Sequence, residues 1–217
     1  MPATSQRLSR TEQRQRTHER LLAAATVLFL ENGYTATSVE QIVEVAGYTR
    51  GAVQGQFGTK AELADAVLDR LCSRAIAQAS MQLVRQMRSA EEIAVGEWMI
   101  ELVTGWCETA VIERRGWIRL ELEVMAERWH DGDADIRRDA RLALVRAAVH
   151  DHLATAGTGT GIDLAVDADT IVMGLLSVVY GLVIQNEERA AVTASVRPLV
   201  RHLLRRNSPV HSRIGQG

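Results

Sequence analysis

The chain has 217 residues, 47% apolar and 24% charged. That is the mixture of a folded globular protein; a disordered chain has few apolar residues and a large net charge. Its 25 basic and 27 acidic residues leave a net charge of -2, so no overall positive surplus points to a polyanionic partner. The distribution is more informative. Residues 1–60 hold seven basic and five acidic side chains, a net of +2, which leaves -4 on the remaining 157 residues. A basic head on an acidic body points to two tasks in one chain. The stretch from Met1 to Arg10 is polar and basic with no apolar run behind it, which does not read as a secretory signal. The most apolar run, Ile171 to Ile184, is 14 residues long and interrupted by Gly174, Ser177 and Gly181. A membrane span needs about 20. A soluble, cytoplasmic protein without a membrane partner is expected. Cys72 and Cys107 form neither a disulfide framework nor a CxxC pair, and read as small buried hydrophobes.

Helical spacing recurs along the whole chain and strand-like alternation is missing. Prolines occur only at 2, 198 and 209. Leu21, Leu22, Ala25, Leu28 and Phe29 share one face of a first helix, which Gly33 stops. Cap signals then follow closely: Thr37 with Glu40 as a capping box, Thr49 before a short helix, and Thr59 with Glu62 as a second box. Longer helices are predicted over 60–87, 90–111, 114–130, 134–155, 167–188 and 193–206. No internal repeat is present. Between the fourth and fifth of these, Thr155 to Gly161 alternates glycine with other residues. No strand precedes it and no Gly-Lys-Ser/Thr follows, so it reads as a flexible loop and not a phosphate cradle.

Residues 37–60 carry the functional signal. A helix of about eight residues buries Val39, Ile42, Val43 and Ala46, and Gly47 supplies a tight turn. Thr49 caps a second short helix that buries Val53 and Phe57 and exposes Arg50, Gln54 and Gln56. Two short helices joined by a glycine-containing turn make a helix-turn-helix, whose second helix enters the DNA major groove. Arg reads guanine, and Gln reads adenine, through paired hydrogen bonds. The competing reading is a helical hairpin that simply packs. Lys60, the only lysine, falls in the first turn of the next helix. A cation is disfavoured there, and a phosphate contact gives it a reason.

The run Arg20–Ala25, Leu28-Phe29, Gly33-Tyr34, Thr37–Val39, Ala46-Gly47, Thr49–Val53, Phe57 and Thr59–Leu63 resembles the N-terminal domain of the TetR family of transcriptional regulators, closely over residues 16–70. The remainder is similar only in helix number and in its apolar, glycine-marked helix near 167–188. The resemblance implies a homodimer that binds double-stranded operator DNA and releases it when a small-molecule effector enters the C-terminal part. Position by position, it implies base contacts from Arg50, Ala52 and Gln54, and phosphate contacts from Thr37, Thr49, Gln56 and Lys60. Arg7, Arg10 and Arg14 read either as an arm along the DNA or as a solvated tail. The family usually carries Tyr at Gln54 and His or Tyr at Gln56, a bulky residue at Gly55, and a small one at Val43. With Gly51 and Gly55 each weakening the helix by about 1 kcal/mol, the recognition helix is expected to firm up partly on DNA, with its own operator preference.

In the body, Asp169 to Glu188 is apolar in nearly every direction, which reads as a helix buried all round. Gly174, Ser177, Gly181 and Gln185 form a narrow strip for close approach. This helix and the one near 193–206 read as the seam of a two-fold dimer, the alternative being an interior helix of a monomer. Over Trp117 to His130, Arg119, Glu123, Glu127 and His130 share a polar sector, while Glu121 and Arg128 fall within the apolar one. These two either pair, with each other or with a neighbouring helix, or Glu121 faces a ligand cavity and recognises a cationic or hydrogen-bonding effector. Trp98, Trp106, Trp117 and Trp129 are core aromatics or ligand contacts, and Met125 shares their neighbourhood. His150-Asp151-His152 has the wrong spacing for a helical metal pair. No catalytic set, metal site or cofactor is expected.

The expected fold is all-α: a three-helix helix-turn-helix DNA-binding domain over residues 1–60, then a helical ligand-binding and dimerisation domain over 61–217. The expected function is a ligand-responsive regulator, a repressor by resemblance. The alternatives are an all-helical enzyme using Glu121 and Arg128, or an adaptor that binds protein alone.

Overall fold

A computed structural model describes residues 9–89, 95–112, 114–128, 132–157, 168–185 and 189–203. Among them every regular element is helical: α1 Arg10–Asn32, α2 Val39–Ala46, α3 Arg50–Gln56, α4 Lys60–Ser89, α5 Val95–Ile112, α6 Arg115–Glu127, α7 Gly132–Gly157, α8 Ala168–Ile184 and α9 Arg189–Leu203. The chain divides into two compact units. One comprises Met1–Ala75 and Arg114–Arg141, the other Ile76–Glu113 and Leu142–Gly217.

In the first unit, Ser9 and Glu12 cap α1 reciprocally, which holds the Glu12 carboxyl below its ordinary pKa. Gly33 ends the helix with φ at 91°. The box on α2 is not the expected one. Ser38 is the N-cap, its Oγ accepting from Gln41 N at 3.2 Å while Gln41 Oε1 accepts from Ser38 N at 2.7 Å. Thr37 lies one residue too early. Its hydroxyl instead donates to Gly33 O at 2.7 Å, and the side chain is buried. Thr49 does stand at the N-cap of α3, but its side chain makes no capping hydrogen bond. Thr59 and Glu62 form the expected box before α4.

The core of this unit joins Leu21, Leu22, Ala25 and Phe29 of α1 to Ile42 of α2, Val53 of α3 and Leu63, Val67 and Leu68 of α4. Leu120 and Val124 of α6 complete it. Burying each such side chain contributes roughly 1.5–3 kcal/mol. The polar sector of α6 does equally specific work. Arg119 donates to the carbonyls of Leu30 and Glu31, Glu123 accepts from Thr35 N at 2.9 Å, and Glu127 accepts from the Tyr34 hydroxyl at 3.2 Å. Gly116 allows this approach, because a Cβ there would meet Leu30 O at 2.7 Å.

In the second unit α5 packs against α9 and α8. Cys107 and Val111 on α5, Val179 on α8, and Val196 and Val200 on α9 are all buried. Two polar ties join α9 to α5: Thr193 donates to Glu108, and Arg197 pairs with Glu101. Within the single chain α8 is not buried all round. Met173 and Ile184 are exposed, as are Gly174 and Ser177. The expected glycine-rich loop is helical up to Gly157, and 158–161 lie outside the described residues.

Candidate nucleic-acid interface and ligand cavity

α2 ends in a Schellman turn. Gly47 takes the left-handed conformation, φ 72° and ψ 39°, and Tyr48 N donates to Val43 O at 2.9 Å. Three residues, Gly47 to Thr49, thus redirect the chain from α2 into α3. The short α3 is then held to α1 along its length. At its start the Arg20 guanidinium lies over the Tyr48 ring, 5.7 Å from its centre. In the middle Val53 is buried, and at the end Phe57 stacks on His18 with ring centres 4.5 Å apart. Gln56 adds a long hydrogen bond to Arg14 O at 3.4 Å.

This fixing leaves one face of α3 outward. Arg50, Gly51, Gln54 and Gly55 are exposed, so Arg50 and Gln54 stand one turn apart on a single ridge. Ala52 and Gln56 are half-buried beside it, and Thr49 is exposed. Arg50 is already paired with Glu40 of α2 at 3.0 Å, both side chains largely exposed. The structure gives Lys60 a second reason to stand at the start of α4: its Nζ lies 4.1 Å from the centre of the Tyr34 ring, a cation–π contact that offsets the unfavourable helix end. Thr37 does not join this surface. Its side chain is 1% exposed and its hydroxyl is engaged internally, so the phosphate contact expected of it has no donor to use. Arg7 lies outside the described residues, while Arg10 and Arg14 are exposed near the start of α1.

The first unit also encloses a cavity of about 330 Å³. Glu121, Val124 and Met125 of α6, with Arg128 just past its end, form one wall, Asp65 of α4 and Asp135, Arg138 and Arg141 of α7 the others. Glu121 and Arg128, singled out as charges in an apolar sector, both take partners on other helices. Arg128 binds Asp65 at 2.6 Å, and Glu121 lies 3.7 Å from Arg141 Nε. Asp65 is 1% exposed and also faces Arg141 and Arg137 at 3.6 and 3.7 Å. Sequence reasoning missed Asp65 and Arg141. The available signal was an acid set among Leu63, Ala64, Ala66, Val67 and Leu68, which burial forces into an ion pair.

Of the tryptophans whose side chains are described, Trp106 and Trp117, neither is among the residues lining this cavity. Trp117 is half-buried against the core, with its Nε1 buried and without an acceptor, and it is not in the cavity wall. Trp106 is half-buried on α5. The side chain of Trp98, and all of Trp129 and His130, lie outside the described residues. His150 approaches Asp169 at 3.8 Å, both exposed. Among the described residues no helix is long and apolar enough to cross a membrane.

Residues 21–67 match the sequence model described as "Bacterial regulatory proteins, tetR family". The HTH-type transcriptional regulator TtgR of Pseudomonas putida is 42% identical over 60 residues, 28% of this chain and 29% of that protein. The HTH-type transcriptional repressor Rv3405c of Mycobacterium tuberculosis is 43% identical over 70 residues, 32% of this chain and 37% of that protein. The matched stretch thus spans less than two fifths of either relative. Among solved structures, Salmonella enterica GusR has a TM-score of 0.66 at 20% identity, covering 87% of this chain and 95% of that one. FadR from Bacillus subtilis, in complex with stearoyl-CoA, has a TM-score of 0.62 at 17% identity, covering 87% and 100%. At such identities the likeness is one of fold. The stretch that matches the family's model includes the α2–α3 helix-turn-helix, and the described helices share their fold with these solved structures.

Proposed function

We propose that this chain is a ligand-responsive transcriptional regulator, a repressor that binds palindromic operator DNA as a homodimer and leaves it when a small-molecule effector enters its helical body. The observation that carries the reading is the outward ridge of α3, where Arg50 and Gln54 stand exposed on a helix pinned to α1 at both ends. Arg50, Ala52 and Gln54 read bases, while Thr49, Gln56 and Lys60 hold phosphates. The functional division places DNA recognition in residues 1–60 and effector binding and dimerisation in 61–217. The dimer seam is the exposed strip of α8 with its small residues Gly174 and Ser177 and its apolar Met173 and Ile184, together with α9. Such a repressor works in the cytoplasm.

The effector site is the cavity at Glu121, Met125 and Arg128. Trp98, Trp106 and Trp117 are further candidate effector contacts. FadR, of the same fold, holds stearoyl-CoA, which supports a small-molecule effector. One helix couples the two events. α6 lines the cavity with one face and grips the α1–α2 corner with the other through Arg119, Glu123 and Glu127. A ligand that displaces α6 therefore disturbs the seat of the helix-turn-helix, and with it the match of two recognition helices to successive major grooves about 34 Å apart.

The test is fluorescence anisotropy against DNA upstream of the chain's own gene and against scrambled DNA, at low and physiological salt. Tight, sequence-dependent binding that weakens steeply with salt is expected. Lys60→Ala weakens all sequences about equally, and Arg50→Ala relaxes preference at one base position. Variants that change thermal stability alone would refute the assignment.

A further inference from the structure

Among the described residues of the cavity wall, Arg141 carries a donor without a hydrogen-bond acceptor. Arg141 is 7% exposed. Its Nη1 donates to Asp69 at 3.1 Å, but its Nε is buried without any acceptor within hydrogen-bond distance. The nearest carboxylate oxygen there, Glu121 Oε1, lies at 3.7 Å, too far for a hydrogen bond. A buried donor without an acceptor is unfavourable, and the residue that carries it lines the cavity.

The charges around it decide what that molecule carries. Asp65, the most deeply buried acid, is already faced by Arg128, Arg137 and Arg141. Asp135 is held by Arg138 at 3.1 Å. A cationic ligand would have to compete with guanidinium groups for every one of these carboxylates. A hydrogen-bond acceptor at Arg141 Nε displaces no hydrogen bond, meeting only the Glu121 carboxylate at 3.7 Å, and a guanidinium edge suits a planar carbonyl or carboxylate. Val124 and Met125 supply an apolar wall beside it. Resting on the reading of this cavity as the effector site, we propose that its ligand is a compact apolar molecule bearing a carboxylate or carbonyl acceptor, anchored by Arg141. This reverses the cationic effector that Glu121 alone brings to mind, because Glu121 itself faces Arg141.

The experiment uses the intact chain and three near-isosteric probes, benzoate, benzamide and benzylammonium, followed by isothermal titration calorimetry. Benzoate and benzamide are expected to bind and benzylammonium is not. Arg141→Lys, which keeps the charge and loses the planar edge, is expected to weaken benzoate by about tenfold or more. Should that variant fail to fold, Met125→Trp fills the cavity while leaving the ion pairs in place, and is expected to abolish binding with the melting temperature kept. Benzylammonium binding that Met125→Trp blocks would overturn the acceptor class while leaving the effector-site reading standing. Binding of none of the three, or benzoate binding untouched by Met125→Trp, would overturn the inference outright. Whether bound benzoate lowers operator affinity is scored separately by anisotropy, so the ligand class and the regulator reading fail independently.

Discussion

Arg50, the α3 residue best placed to reach a base edge, lies 3.0 Å from Glu40 with both side chains largely exposed. Such a pair adds between zero and about 1 kcal/mol to stability. If Arg50 reads a base as proposed, it must exchange Glu40 for that base, and Glu40 then faces a phosphate backbone of its own sign. Glu40→Ala is therefore expected to change thermal stability by less than about 0.5 kcal/mol. It should raise affinity for operator and scrambled DNA alike, by about two- to fivefold at low salt. Anisotropy titrations of the two proteins check this, and an unchanged or weaker affinity would mean that Glu40 orients Arg50 for its base. Charge type and spacing made Arg50 and Gln54 legible in the sequence. The occupied hydroxyl of Thr37 was not legible, because Thr37 and Ser38 are adjacent and either can begin a helix. Burial decided between them, drawing Thr37 against the Gly33 carbonyl.

At the scale of elements, α3 is seven residues long and carries two glycines. No atom lies within 4 Å of a Cβ built on Gly55, and only Thr49 Oγ1, at 3.9 Å, lies near one on Gly51. Gly55→Ala is thus expected to stabilise the protein by up to about 1 kcal/mol. Its reading in urea unfolding is a raised midpoint with unchanged slope. α6 and Gly116 behave oppositely. A methyl group there would press on the Leu30 carbonyl at 2.7 Å, so Gly116→Ala is expected to cost about 1–3 kcal/mol, seen as a lowered urea midpoint. Helix existence was readable throughout from apolar spacing, but ends were not. α9 is already helical at Arg189, ahead of the expected 193, and runs on through Pro198. The ties of Thr193 and Arg197 to α5 hold the longer helix in place.

For the whole molecule, the two cysteines report on stability and not on chemistry. Cys107 is fully buried, and its thiol is pushed up to about 12 by burial first and by Glu108 second. The folded core accepts the neutral thiol, whereas the unfolded chain ionises near the ordinary value of 9.0. Unfolding therefore releases a proton above that pH, and this contribution to stability is intact below 9.0 and lost as pH rises toward 12. Cys107→Ala is expected to make the fall in urea midpoint across this alkaline range shallower than in the parent protein. An unchanged slope would show that other groups govern it. The native thiol should also resist maleimide at neutral pH.

The sequence by itself determined the all-helical class, the helix-turn-helix with Gly47 at its turn and the outward set of Arg50 and Gln54. Each follows from local physics: apolar spacing, a left-handed glycine, and side chains that alternate between core and solvent within one turn. Only the tertiary structure decided where α6 belongs and what its charges meet. Spacing shows only that Arg119, Glu123 and Glu127 share a polar sector, and the fold uses it to seat the α1–α2 corner. Glu121 and Arg128 needed partners on each other or on a neighbouring helix, and the fold supplies the neighbouring helices, with Arg141 and Asp65 as the partners. Pairing across 63 residues leaves no local trace, because a buried charge fixes only that it needs a counter-charge, and the packing of separate helices chooses which one it gets.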